Sequence, residues 1–199
     1  MQLTPLQIEM LGELAGRGLV LAARALDAVA GPRVALSLDQ WRLRTLDQAR
    51  LSLASTGACA IPAVRLSFSG AVAGSATLAL PAGAAARLAA LITGAPETDD
   101  ELDGIRAGTL AEVGGLVLCG ALRPLSSLFA HPLALLPPHF IQTTPENLLS
   151  EAAVLSGRIR LGVGSRLVEG ELFIETDRNG TAALAAALDR RAAPYCQYA

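Results

Sequence analysis

Two Glu-x-x-Gly segments are the residues of this sequence best placed to do chemistry on a partner. Glu13 is followed three residues later by Gly16, and Glu112 is followed in the same way by Gly115. Residues three apart in a helix share one face, so each pair would present a carboxylate beside backbone that has no side chain. Such a carboxylate can pair with a cation of a partner. The alternative for both glutamates is an ordinary solvated charge on a helix surface.

The two predicted helices that carry these pairs are rich in glycine. Each glycine inside a helix costs about 1 kcal/mol relative to alanine. So many glycines predict that something approaches the helix backbone closely, either the sister helix or a partner. The glycines are Gly12, Gly16 and Gly18 in the first helix and Gly108, Gly114, Gly115 and Gly120 in the second.

Periodicity and turn residues divide the chain into helices and strands. Apolar residues at spacings of three and four predict a helix over 5–30, with Thr4 as its N-cap and Gly31-Pro32 as its end. Further helices are predicted over 82–93, 103–129 and 180–192, the last capped by Asp177 or Asn179. Strands are predicted over 34–38, 50–54, 64–68, 75–80, 133–136, 151–163 and 166–176. Trp41 is expected in a loop, packed over a sheet edge.

The two halves of the chain follow the same order of elements. Residues 72–80 align with 168–176, an offset of 96, and the two Glu-x-x-Gly segments are offset by 99. Near-equal offsets predict an internal duplication within a single domain over 1–199. Repeat one would span about 5–94, an acidic linker 95–102 and repeat two 103–192, with a loose tail over 193–199. The alternative is two generic amphipathic helices, each followed by a hairpin.

Composition excludes several classes of site and partner. The net charge is −2 and no run of Lys or Arg occurs, which argues against nucleic acid as a partner. Hydrophobic residues make up 52% of the chain, enough to build a core without metals or disulfides. His131 and His139 have no acidic or Cys partner at metal-ligand spacing, so we expect neither a metal nor another cofactor. The three cysteines, Cys59, Cys119 and Cys196, show no motif spacing and fit a reducing compartment.

The protein is expected to be cytoplasmic. Its N-terminus has no basic region, and Glu9 and Glu13 interrupt any apolar run there, which argues against a signal peptide. The most apolar helical stretch, 113–122, is too short to cross a bilayer and has Glu112 at its edge. No membrane span is therefore expected.

The two glycine-rich helices carry a family resemblance. Residues 13–26 resemble the signature helix of the CheC/CheX/FliY-type chemotaxis phosphatases, and residues 112–122 resemble its second copy. That family has a proline 23 positions after an asparagine that stands three residues after the glutamate, and Pro138 stands at that distance from Gly115. The first copy has Asp39 at the corresponding position. The family also prefers Asp or Ser four residues before the glutamate, where this chain has Glu9 and Gly108.

The resemblance implies roles for the motif residues. In the family, the glutamate pairs with a lysine of a phosphorylated CheY-type receiver domain, and an asparagine three residues later orients the attacking water. An amide suits that task because it combines a donor with an acceptor. Gly16 and Gly115 replace that asparagine, and loss of one such polar group typically costs about 10²- to 10³-fold in rate. Arg17, four residues after Glu13, can also occupy the first carboxylate.

These observations predict an α+β fold. Two α-β-β-β-α repeats would form one largely antiparallel sheet flanked by helices, with pseudo-twofold symmetry and the two long helices side by side. The predicted function is binding of a phosphorylated CheY-type receiver with phosphatase activity weakened or lost, so we lean against an enzyme. Glu112, Glu13 and Glu9 would bind the partner. An active aspartyl-phosphate phosphatase and a structural or flagellar-switch-like module stay as alternatives, and a CheD-type partner and a homo-oligomer stay open.

Overall fold

The structure, a computed structural model, describes residues 3–30, 34–55, 58–94, 102–151 and 153–192. Its elements follow one another as α1 (Pro5–Ala30), β1 (Val34–Thr45), α2 (Leu46–Ala54), β2 (Ile61–Ser69), β3 (Gly74–Ala79), α3 (Ala82–Thr93), α4 (Gly104–Ser126), β4 (Ala134–Leu135), β5 (His139–Thr143), α5 (Pro145–Leu148), β6 (Ala153–Val163), β7 (Arg166–Thr176) and α6 (Arg178–Ala192). The predicted helix end at 31–32, most of the acidic linker and the tail from 193 lie outside the described residues.

Local signals in the sequence account for the ends of the long helices. Thr4 opens α1: its backbone N–H donates to Gln7 Oε1, and its hydroxyl oxygen accepts from the Gln7 N–H, which makes a capping box. Asp103 caps α4 by accepting from the N–H of Arg106 at 2.8 Å. Asp177 caps α6 through the N–H of Gly180, so α6 begins at Arg178, two residues earlier than predicted. Helix α4 ends at Ser126 rather than 129.

One seven-stranded sheet runs through the whole fold, and all its strand pairs are antiparallel. The order is β1-β6-β7-β3-β2-β4, with β5 also paired to β2. The central pair joins β3 of the first half to β7 of the second, with Gly74 opposite Thr176. On one side of that central pair β7 is followed by β6 and then β1. On the other side β3 is followed by β2 and then β5, so the two sides have equivalent strands. The predicted largely antiparallel sheet with pseudo-twofold symmetry is therefore confirmed.

The sheet separates two cores. The larger core lies between one face of the sheet and helices α1, α3, α4 and α6, and its buried residues include Leu19, Leu118 and Leu172. The opposite face carries a smaller core beneath α2 and α5, built on Ala49, Leu148 and Phe173. Strand residues alternate between the two cores, as a sheet covered on both faces requires.

Two sequence-based expectations about the first repeat are wrong, and one strand of the second repeat was not predicted. Residues 50–54 belong to helix α2, because Thr45 and Gln48 form a capping box and Ala49 and Leu53, four residues apart, are both buried. Trp41 lies within strand β1 rather than in a loop. His139 begins strand β5, which the sequence analysis missed. The short helices α2 and α5 are thus additions to the predicted α-β-β-β-α order.

Helix α4 extends well beyond its apolar 113–122 stretch. It is the one helix in the described ranges with the length and composition to cross a membrane, with a mean hydropathy of 1.4 over an 18-residue window. Half of that window is buried inside the fold. Its apolar residues pack against α1 and the sheet, as those of a core helix do.

Candidate functional site

The two long helices lie side by side, and glycines form their point of closest approach. A Cβ on Gly18 of α1 would overlap the carbonyl oxygen of Gly120 on α4, and a Cβ on Gly120 would lie 2.6 Å from the Cβ of Ala22. At this crossing the glycines are therefore explained by the sister helix, one of the two predicted causes. The packing also fixes which faces of α1 and α4 remain exposed.

The first motif lies on the exposed face of α1. Glu13 is exposed, and its carboxylate lies 3.6 Å from a guanidinium nitrogen of Arg17, as the sequence spacing predicts. Both side chains are mostly in solvent, so this ion pair contributes little to stability. A Cβ on Gly16 would meet nothing within 4 Å. The first site therefore has room for a side chain where the family has its amide.

An open groove of about 660 Å³ runs beside this motif, between α1 and β1. Glu9, Glu13 and Gly16 line it from the helix, and Leu38, Trp41 and Leu43 line it from the strand. Trp41 packs on Gly12, whose Cβ, if present, would lie 2.7 Å from Cδ1 of the indole. The groove is thus a largely apolar surface with two carboxylates on the helix side and Arg42 on the strand side.

The second motif has the same carboxylate but a filled glycine position. Glu112 is exposed on α4, whereas Gly115 is buried. A Cβ on Gly115 would lie 2.5 Å from Cγ and 3.1 Å from Cβ of Pro138. The neighbouring Gly114 faces β2, where its Cβ would lie 2.6 Å from a methyl group of Val64. The second site therefore has no space for an asparagine side chain unless Pro138 moves.

The chemistry available at the two motifs is limited to charge pairing and surface contact. Gly16 and Gly115 have no side chain, so neither motif has an amide three residues after its glutamate. Among the residues that the structure describes, no group of three His, Cys, Asp or Glu side chains could hold a metal ion. Cys119 is half-buried on α4, and burial raises the pKa of its thiol despite nearby Arg123. The exposed carboxylate at each motif can pair with a cation on a partner's surface.

An exposed apolar residue accompanies each glutamate at the same spacing. Leu6 precedes Glu13 by seven residues and Ile105 precedes Glu112 by seven, which is two helical turns along one face. Leu6 is 63% exposed and Ile105 is 75% exposed. The offset between them, 99 residues, equals the offset between the motifs. This pair was not predicted, although its shared spacing in both repeats can be read from the sequence.

The predicted site residues fall into two groups. Glu9, Glu13 and Gly16 line the groove between α1 and β1, and Trp41, expected to pack over a sheet edge, forms the groove's opposite wall. Gly115 and Pro138, placed together only by a count of 23 positions, are in contact, with Glu112 one turn before them. The two motifs are thus equivalent in position and different in shape.

Comparison with known proteins shows what the fold resembles. The sequence matches no protein-family model and no curated protein. Among solved structures, FliY from Thermotoga maritima is similar over 96% of this chain and 99% of its own, with a TM-score of 0.76 and 16% identity. The FliM middle domain from H. pylori is similar over 93% of this chain and 99% of its own, with a TM-score of 0.70 and 10% identity.

A third similar structure contains a signalling partner. It is a chain of the CheX–CheY–BeF3–Mg²⁺ complex from Borrelia burgdorferi, similar over 81% of this chain and 96% of its own. Its TM-score is 0.51 and its identity is 18%. At identities this low, these structural similarities establish the fold of the chain and nothing more.

Proposed function

We propose that this chain, which has the fold of the CheC/CheX/FliY family, is a cytoplasmic CheC-like signalling protein that binds a phosphorylated CheY-type receiver domain without efficient hydrolysis. The observation that carries the proposal is the exposed carboxylate of Glu112 one turn before a glycine. Gly115 has no amide to position water, and Pro138 fills the space next to it.

The exposed residues around each glutamate support a docking role. A carboxylate with a large apolar residue two turns away offers one charged and one apolar contact on a single helix face, as at Glu112 and Ile105. Apolar contacts at an interface supply affinity, and a charge pair at its rim supplies orientation. The same pair occurs at Glu13 and Leu6 in the first repeat.

The comparisons support a partner of this kind without identifying it. The CheX of the similar Borrelia complex is bound to CheY with BeF3 and Mg²⁺. A second candidate function, an interaction module like that of the flagellar switch, is favoured by the higher TM-scores of FliY and FliM. An H. pylori FliM of this fold has also been solved with FliG.

A binding experiment separates these functions. Receiver domains from the same organism would be tested with and without BeF3 for binding to the protein. We expect BeF3-dependent binding that Glu112→Lys weakens at least tenfold, because a receiver lysine would then face a like charge. Ile105→Asp should weaken binding as well.

Leu51→Asp is the matched control, because Leu51 is 73% exposed on α2, which covers the other sheet face. It should leave receiver binding unchanged. Equal binding with and without BeF3, or equal effects of Ile105→Asp and Leu51→Asp, would contradict the proposal. Binding to a flagellar-switch protein instead of any receiver would support the second candidate.

Phosphate release tests the catalytic part. The wild-type protein should accelerate receiver dephosphorylation little or not at all. Gly16→Asn restores an amide at the open site and should raise the rate, whereas Gly115→Asn should not. Rapid dephosphorylation by the wild-type protein would overturn the proposed loss of activity.

A further inference from the structure

A second pocket lies on the sheet face opposite the motif helices. It has a volume of about 330 Å³, and its lining comes from β1, β2, β3, β6, β7 and the end of α2. Arg42, Arg44 and Arg158 line it together with Glu169 and Glu171. Its volume lies within the range of small-molecule sites, and its lining is strongly charged.

A bulge in β1 creates this concentration of arginine. Between Asp39 and Arg42 the pairing of β1 with β6 shifts register, and Gln40 adopts a positive φ of 54°. An extra residue in a strand moves the following side chains to the opposite face. As a result Arg42 and Arg44 share a face with Arg158, while Trp41 packs on α1.

The two carboxylates of the pocket are already engaged. Arg44 and Glu171 form an ion pair at 2.8 Å, with side chains only 11% and 20% exposed, and the hydroxyl of Ser52 donates to Glu171 at 2.9 Å. Glu169 accepts from Nε of Arg160 at 2.8 Å. The Glu169 hydrogen bond, together with nearby Asp39, raises the pKa of Arg160.

Arg42 and Arg158 remain without a counter-charge at ion-pairing distance in the described part of the chain. Arg42 lies opposite Ser156 in the sheet, and Arg158 is two residues further along the same strand. Side chains in this diagonal relation are close enough for two long arginines to reach one ligand. Two guanidinium groups therefore line a pocket whose two carboxylates are each paired with another arginine, although Glu171 lies directly opposite Arg158 in the sheet.

We propose that this pocket binds a small organic anion with two negative charges, either a phosphate monoester or a dicarboxylate. Guanidinium groups bind both acid groups through paired N–H···O contacts, so Arg42 and Arg158 would hold the ligand from two strands. The Arg44–Glu171 pair forms a fixed polar wall behind it. This site lies on the sheet face opposite the motif helices, although Arg42 also borders the groove beside the first motif.

Direct binding measurements with defined probes test the site. Glycerol 3-phosphate and succinate would each be titrated by calorimetry at low ionic strength, with sodium chloride of matched ionic strength as the salt control. We expect saturable binding of at least one probe to the wild-type protein. Binding of only one probe would identify the preferred acid group.

Arginine variants locate the binding. Arg42→Ala and Arg158→Ala should each weaken binding at least tenfold, and Arg158→Lys should weaken it less because the charge is kept. Arg24→Ala removes an exposed arginine of α1 on the other side of the fold and should bind as the wild type does. Far-ultraviolet circular dichroism would confirm that each variant is folded. No saturable binding of either probe, or equal affinity in Arg42→Ala, Arg158→Ala and Arg24→Ala, would overturn the proposal.

Discussion

The ring of Pro138 occupies the space beside Gly115 in which a side chain would begin, with 2.5 Å between Cγ of the proline and a Cβ built on the glycine. The equivalent Gly16 faces open space. Two motifs with the same sequence pattern therefore differ in whether they can accept a larger residue.

Asparagine should be tolerated at position 16 and not at position 115. Gly115→Asn forces Pro138 or α4 to shift, and overpacking of this kind costs about 1 to 3 kcal/mol. Gly16→Asn should change the free energy of unfolding by less than about 0.5 kcal/mol. Urea denaturation of both variants measures the difference. Gly115→Asn should cost less in a Pro138→Ala background, and equal stability of the two single variants would contradict the contact.

Alanine at the helix crossing should be far more costly than alanine on the exposed face of α4. Gly18→Ala places a methyl group on the backbone of Gly120, so the two helices must separate, and we expect a loss of about 2 kcal/mol or more. Gly108→Ala, where a Cβ would meet nothing within 4 Å, should stabilise by about 0.5 to 1 kcal/mol through helix propensity. Thermal and urea unfolding should show that the two substitutions change the free energy of unfolding in opposite directions. A stabilising effect of Gly18→Ala would refute the close crossing of the helices.

The buried carboxylate of Glu175 should be important for folding. It accepts from Arg65 at 3.2 Å, from the Ser75 hydroxyl at 3.1 Å and from the N–H groups of Ser150 and Glu151 at 2.7 and 3.0 Å. Glu175→Ala would leave all four donors without this acceptor, and loss of one partner of a buried ion pair costs about 3 to 5 kcal/mol.

Glu13→Ala provides the control for Glu175→Ala, because it removes an exposed carboxylate whose ion pair is worth no more than about 0.5 kcal/mol. The change in free energy of unfolding of each variant would be measured by equilibrium denaturation. The same dependence of that free energy on denaturant concentration would be used for both variants. A small effect of Glu175→Ala would mean that the four donors find other acceptors.

The cysteines should differ in reactivity. Burial raises the pKa of the Cys119 thiol, so a smaller fraction is thiolate at pH 8, and the thiolate is the reactive form. Cys59 is exposed. Iodoacetamide should therefore label Cys59 first, and labelling of Cys119 should accelerate as the pH rises further. Peptide mass mapping resolves each cysteine, including Cys196, which lies outside the described residues. Labelling of Cys119 as fast as that of Cys59 would contradict its burial.

The sequence by itself determined the elements whose signals are local. The capped and periodic helix α1, the hairpin of β6 and β7, and the repeated order of elements depend on spacings that can be read along the chain. It also determined that both motifs lack an amide, and a count of positions selected Pro138. Helix α2 was missed because four apolar or small residues near 50–54 fit a short strand as well as a helix.

Only the tertiary structure decided how the two motifs differ. Contacts between Gly115 and Pro138, between Gly18 and Gly120, and between Gly12 and Trp41 join segments that are distant in sequence or lie on different elements. The bulge that turns Arg42 toward Arg158 depends on pairing between β1 and β6, which local propensity does not encode. A glycine in the sequence is compatible with open space or with a neighbour's backbone, and only the position of that neighbour distinguishes the two.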